Sequence, residues 1–405
     1  MPPNRKALTF LLLTVFLDLL GAGILLPVIP YLVKPYRADA TTVGLLTLAF
    51  SAAQFLATPV LGALSDRHGR RPILLISVFG SGLGYVLFGI GGSLAVLYCS
   101  RLLDGVTGGN ISTAQAYIAD VTPPEDRAKT FGLIGAAFGL GFIIGPVAGG
   151  FLTHISLQAP AYAAALLAFS TTVLGYFGLP ESLPPDRRRA TPLTIADLNP
   201  IRTLIQNFNR PALRLLFLAA FTFNFANSGF QSNFPVFTSA RFGLSPDQNG
   251  LILAGVGVAA AITQGLLVRR INPIFGERKL ALAGFLTGAA TLVWTAFARS
   301  TWEVTVAMGL CAFGVSLASP ALLGLISQAV SGYEQGVVLG AMTSMASLAR
   351  IGGPYWAGVT FDHIGPGAPY WTAALWLLAG FAFIWMRSGQ PATGRSPAAA
   401  TPHPR

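Results

Sequence analysis

The sequence predicts an all-α membrane protein of 12 transmembrane helices, built as two six-helix bundles related by pseudo-two-fold symmetry. Three observations carry this. Hydrophobic residues make up 53% of the 405 and charged residues only 10%, a balance foreign to a soluble core. Twelve apolar runs of about 18 to 25 residues are spaced along the chain, and roughly 20 such residues cross a hydrocarbon layer about 30 Å thick as a helix. Finally, adding 208 to Gly132, Gly145, Pro146 and Gly150 lands on Gly340, Gly353, Pro354 and Gly358, which makes spans 5 and 11 equivalent and implies a parallel duplication.

In order, the spans are read as 8–33, 42–64, 72–91, 94–117, 130–152 and 159–179, then 213–236, 248–268, 280–298, 303–327, 337–360 and 369–387. Span 1 runs through Asp18, Pro27 and Pro30 with no small-residue cleavage site after it, so it is a membrane helix and not a signal peptide. The domains follow: a first bundle over 1–179, a linker over 180–212 with room for one surface helix, a second bundle over 213–387, and a disordered tail over 388–405 rich in Pro, Ala and Ser.

The formal charge of +11 reflects topology. Of the 26 Lys and Arg residues, 20 fall in the segments that alternate onto one side, and only Lys34, Arg37, Arg241 and Arg299 fall on the other. The positive-inside rule then puts both termini in the cytoplasm, and no nucleic-acid partner is called for. Cys99 and Cys311 lie inside spans and the four histidines are scattered, which supports neither a disulfide framework nor a metal site.

Between spans 2 and 3 the residues Gly62 to Pro72 read GALSDRHGRRP. Gly69 suits the positive dihedral of a tight turn, Pro72 suits the first turn of a new helix, and Asp66 could face a helix N-terminus, where an anion gains about 0.3 to 1 kcal/mol. The plainer alternative is a basic juxtamembrane loop. The counterpart between spans 8 and 9, VRRINPIFGERK, keeps the Gly and basic residues but lacks the Asp and is spaced differently.

These residues resemble the motifs of the major facilitator superfamily over essentially the whole chain. Gly62, Asp66, Arg67, Gly69, Arg70 and Arg71 match its G-x-x-x-D-R-x-G-R-R loop. Arg101 and Gly105 in span 4 resemble the R-x-x-x-G motif of proton-coupled members. In span 5, Gly141, Gly145, Pro146, Gly149 and Gly150 resemble the G-x-x-x-G-P-x-x-G-G motif of drug:proton antiporters. The text of span 1 is similar to the opening of tetracycline efflux proteins, with Asp18 matching their intramembrane acid, and Gln54 and Asp120 also match that branch. The resemblance implies a multi-pass transporter of the bacterial inner membrane, probing both sides by alternating access, with the proton as coupling ion and no cofactor. It also implies a cytoplasmic gate in which Asp66 approaches the start of span 11 and Arg70 pairs with Asp120.

Asp18 is the expected proton carrier. A carboxylate at a helix centre costs roughly 2.5 to 3.5 kcal/mol on insertion scales, so a lipid-facing helix would not carry one. The alternative is a static acid bridging helices. Arg101, Asp104, Gly108, Ser112 and Gln115 recur at three- and four-residue steps and share a face. Arg101 and Asp104 belong to the expected coupling set, although their spacing also allows a purely local pair. Arg350 has no counterpart in the repeat, where position 142 is Phe. It is read as lining the second half of the cavity, with a helix-packing arginine as the alternative.

The expected substrate cavity combines Gln54, Tyr85, Asn110, Gln115, Asn224, Asn227, Phe230, Gln231 and Arg350, an apolar pocket with few polar anchors. Asn and Gln also join helices inside membranes, which leaves a packing role open for half of them. Two acids of the tetracycline pattern are missing, their positions falling on Gly288 and near Gly84 and Tyr85. The expected function is export of a small amphipathic compound by a monomer in contact with membrane lipid. A sugar or organic-ion carrier of the same fold is the alternative. No signalling domain suggests a receptor, and no nucleophile or metal constellation suggests an enzyme.

Overall fold

The computed structural model describes residues 5–36, 39–122, 124–188, 205, 208, 210–330 and 335–387, and among these no strand occurs. Most of the expected linker, from 189 to 204, and the tail 388–405 lie outside the described residues, so the surface helix and the disorder expected there do too.

Span 1 is the helix Arg5–Leu25 followed, past Pro27, by the short helix Ile29–Val33. Spans 2, 3, 5 and 6 are Ala40–His68, Arg70–Ile90, Pro124–Leu152 and Ala159–Gly178. Span 4 is broken into Leu94–Thr107 and Asn110–Val121. In the second half, span 7 is Pro211–Phe242 and span 8 starts as Pro246–Ile262. Span 8 continues through a π-turn, Thr263–Leu267, into the helix Val268–Phe297, which holds span 9 beyond a kink at Gly276. Spans 10, 11 and 12 are Thr301–Gln328, Gln335–His363 and Ala368–Met386.

Eight of these helices, one being the merged rod of spans 8 and 9, are long and apolar enough to cross a membrane on their own. Spans 4, 7 and 11 do not qualify. Span 4 is cut in two, span 7 carries Asn224, Asn227, Gln231 and Asn233, and span 11 carries Arg350. Asn224 and Arg350 line a cavity, a setting in which membrane helices tolerate polar side chains.

Each half packs in the same order. Span 1 packs on 5 and 6, 3 on 4 and 6, and 2 on 4; likewise 7 packs on 11 and 12, 9 on 10 and 12, and 8 on 10. The halves meet through spans 2 and 11 and through spans 5 and 8, two contacts that the pseudo-two-fold axis exchanges. Helix starts repeat as well. Asp39 and Ser93 cap spans 2 and 4 by accepting from Thr42 N and Val96 N, while Ser245 and Ser300 cap spans 8 and 10. Each cap satisfies an otherwise orphaned backbone donor.

Two sequence expectations change here. The segment Gly62 to Pro72 is not an eleven-residue loop: span 2 stays helical to His68, Gly69 alone departs with φ +105°, and span 3 begins at Arg70. Span 4 is not continuous, because Gly108 and Gly109 leave the helical conformation.

Candidate functional site

At the end remote from the arginine-rich turns, the two halves interlock twice. The Asp362 carboxylate, on the last turn of span 11, accepts from Ala40 N at 3.1 Å, Thr41 N at 2.8 Å and Thr41 Oγ1 at 2.6 Å. It sits at the N-terminus of span 2, where unpaired N–H groups and the helix dipole favour an anion. Across the pseudo-two-fold axis, His154 Nε2 lies 3.6 Å from Asp247 Oδ2 in the first turn of span 8. Subtracting 208 takes Asp362 to His154 and Asp247 to Asp39, so one lock is built twice with different chemistry. Tyr31 adds to it, donating to Leu244 O at 2.5 Å and accepting from Asn249 Nδ2 at 2.9 Å.

Glycines permit this closure. A side chain at Gly250 would strike Pro146 O, and one at Gly44 would strike Pro354 O. Gly150 likewise abuts Pro246 and Asp247, and Gly358 abuts Ala40 and Thr41. Gly141, Gly145 and Gly149 press against Leu19, Gly23 and Ile24 of span 1, so the antiporter-like motif serves both the span 1–5 and the span 5–8 contacts. At the other end the same four spans are apart: an added Cβ at Gly62, Gly135, Gly265 or Gly340 meets nothing within 4 Å. The halves are closed at one end and splayed at the arginine-rich end.

The splayed end explains a correction. Among the described residues Asp66 pairs within its own half and not with span 11, its Oδ1 lying 2.5 Å from Arg70 Nη1. Arg70 Nε lies 3.2 Å from Asp120 Oδ2, which also accepts from Ser182 Oγ at 3.1 Å. Arg71 donates to Tyr176 O at the end of span 6, and Arg278 donates to Trp385 O at the end of span 12. The repeat therefore reaches these turns, one residue out of the 208 register. Arg67 is exposed. Sequence reading missed Glu181, whose carboxylate accepts from Arg70 N at 2.8 Å and Arg71 N at 3.3 Å and so caps span 3. Its signal was an acid two residues past the end of span 6.

Within the membrane, Arg101 Nη1 lies 3.3 Å from Asp104 Oδ2, and both side chains are buried. The guanidinium stacks over Phe88 at 4.3 Å from the ring centroid and lies 5.9 Å from that of Tyr85. A Cβ added at Gly21, three residues beyond Asp18 on span 1, would stand 3.6 Å from the Tyr85 ring, so this stretch of span 1 packs on the group. Asp18 is half-buried. A Cβ at Gly84 would stand 3.1 Å from Asp104 Cβ, and one at Gly288 would stand 3.0 Å from Leu377 Cδ1. Both positions that lack an acid are packed shut, and Asp104 fills the space beside the first.

The expected cavity residues separate. Asn224 and Arg350 line an open cavity in the second half. Phe230 does not; it is buried in that half's apolar core, and Tyr85 is buried in the core of the first. Gln54 donates from Nε2 to Gly108 O at 2.7 Å, fastening span 2 to the break in span 4. Among the described residues Asn227 Oδ1 is buried without a hydrogen-bond partner; Gln231 is half-buried, and Gln115 is exposed beyond the break. The side chain of Asn110 lies outside the described residues.

Two six-helix bundles that close on one side of a membrane-buried polar site and part on the other define a membrane transporter, not an enzyme. The family model of the Major Facilitator Superfamily matches residues 11–274 and 239–404, and the chain belongs to that family. It is 35% identical over 384 residues to the class C tetracycline resistance protein of Escherichia coli, covering 94% of this chain and 95% of that one. It is 30% identical over 361 residues to multidrug resistance protein 2 of Bacillus subtilis (strain 168), covering 89% and 90%. Among solved structures, it resembles the human organic anion transporter MFSD10 with a TM-score of 0.72 and 29% identity, covering 95% of this chain and 100% of that one. A bacterial homolog of the human lysosomal transporter Spinster, inward-facing and occupied, shares the fold with a TM-score of 0.78 and 16% identity, over 96% and 97%.

Proposed function

We propose that this transporter exports small amphipathic compounds in exchange for protons, with its arginine-rich end in the cytoplasm. The orientation rests on the 20 basic residues gathered on that side. In that orientation the conformation described here is open to the cytoplasm and ready to take up a compound from inside. Similarity to tetracycline and multidrug resistance proteins supports efflux as the direction.

The observation that carries the reading is the half-buried acid of span 1 beside a buried Arg–Asp pair. Burial favours the protonated form of Asp18, whereas a nearby cation or water favours the charged one. Rocking of the halves changes that balance, so Asp18 loads a proton while facing outside and releases it while facing the cytoplasm. The neutral Arg101–Asp104 pair keeps the neighbourhood polar without adding net charge. A membrane potential contributes about 2.3 kcal/mol per charge per 100 mV, roughly a fifty-fold gradient for each net charge moved.

The test uses everted vesicles holding the full chain with an imposed acid interior. Addition of tetracyclines, lipophilic cations or fluoroquinolone-like compounds is expected to release protons in the wild type and not in Asp18→Asn. Proton release by the Asn variant equal to wild type would refute the role of Asp18. Absence of release with every compound would refute efflux by proton exchange.

A further inference from the structure

The second half contains a cavity of about 240 Å³ whose lining includes Phe223 and Asn224 of span 7, Ser319 and Leu322 of span 10, and Thr343 and Arg350 of span 11. Asn224 stands 13 residues beyond Pro211 and Arg350 stands 15 beyond Gln335, each about 20 Å along its helix at 1.5 Å per residue and near the middle of helices of 32 and 29 residues.

The charge of Arg350 is not balanced there. Its Nη2 donates to Ser347 Oγ at 3.1 Å, and among the described residues no carboxylate lies within 4.0 Å of its guanidinium. Arg101, the other membrane arginine, has its own acid at 3.3 Å. The two further acids of the tetracycline pattern are missing, their positions falling on Gly288 and near Gly84, so neither position supplies a counter-charge. Arg350 is exposed to this cavity with its charge unpaired among the described residues, and its planar fork matches the two oxygens of a carboxylate. Around it, the ring of Phe223 and the side chain of Leu322 offer apolar surface, while the Ser319 hydroxyl and the Asn224 amide offer hydrogen bonds.

We infer that Arg350 is an anion-binding subsite of the transport cavity, and that the compound carried bears a carboxylate on an aromatic or alicyclic apolar body. This rests on the transport reading above and narrows it to a substrate class. The subsite reads the carboxylate through Arg350, and the apolar wall accepts the rest of the molecule.

Equilibrium binding to the purified full chain in neutral detergent tests it, with 1-pyrenebutyrate and its primary amide as probes read by fluorescence anisotropy. The wild type is expected to prefer the carboxylate by about tenfold to a hundredfold, the worth of a charge-assisted hydrogen-bond pair. Arg350→Gln should bind the two probes equally, and Arg350→Lys should keep part of the preference because it keeps the charge while losing the fork. A wild type without preference, including one that binds neither probe, overturns the proposal, as does a Gln variant that retains the preference. If the Gln variant binds nothing, the Lys variant decides: a retained preference supports the subsite and a lost one overturns it. Carboxylate preference without proton-linked export would remove the transport reading and leave the subsite; export without carboxylate preference would do the reverse.

Discussion

Arg101 and Asp104, one turn apart on span 4, meet at 3.3 Å with both side chains buried, at 7% and 6% exposure. The guanidinium is also covered by Phe88. Breaking such a pair from one side strands a charge, which costs about 3 to 5 kcal/mol, while removing both partners costs less than the sum. Asp104→Ala is therefore expected to lower the melting temperature in detergent sharply, and Arg101→Met with Asp104→Ala to recover part of the loss. Additive losses would mean the two residues act independently.

The closed end should depend on Asp362. Replacing it by Ala removes three hydrogen bonds at the start of span 2, a loss of about 1 to 3 kcal/mol. Spectroscopic distances between labels at the outer ends of spans 2 and 11 should lengthen in Asp362→Ala as the outward-open state gains population. Unchanged distances would remove Asp362 from the lock.

Its pseudo-two-fold mate should respond to acid. The Ser245 hydroxyl holds the Asp247 carboxyl below its ordinary value of 3.8, against partial burial, and His154 adds to the effect. A depressed acid stabilises the fold above its unfolded value and loses that contribution as pH falls through the folded one. Melting temperature should therefore fall as pH drops below 3.8, and less steeply in Asp247→Asn. Parallel curves would contradict the assignment.

Two glycines separate the conformations. Gly250 lies against Pro146 O, so Gly250→Val should destabilise this closed-end state. Gly62 has open space around it here. Gly62→Leu should therefore leave the melting temperature nearly unchanged yet slow transport, because closing the arginine-rich end must bring span 11 toward span 2. A transport rate equal to wild type would show that span 11 never approaches Gly62.

Apolar length and the 208-residue offset made the fold legible, because crossing a bilayer fixes helix length and duplication fixes packing order. The turns were less so. One glycine reverses the chain at Gly69, and the flanking polar residues GALSDRH remain helical, since charges at a membrane surface do not end a helix. Pairings set by distance also escaped. Glu181 caps span 3 from more than a hundred residues away in sequence, and Gln54 looked like a cavity residue but closes the break at Gly108. The pairing of Asp66 depends on which end is open, a property of conformation that sequence does not specify. Phe230 shared a helix with cavity residues but not their face.

The most direct measurement is proton movement driven by the compound alone. Proteoliposomes of the full chain, with equal pH on both sides and no membrane potential, receive a gradient of a transported compound while internal pH is followed. Protons should move against the compound's direction in the wild type, and Asp18→Asn should exchange labelled compound across the membrane with no proton movement. Compound flux in the wild type without opposing proton movement, or proton movement that persists in Asp18→Asn, would contradict proton exchange at Asp18.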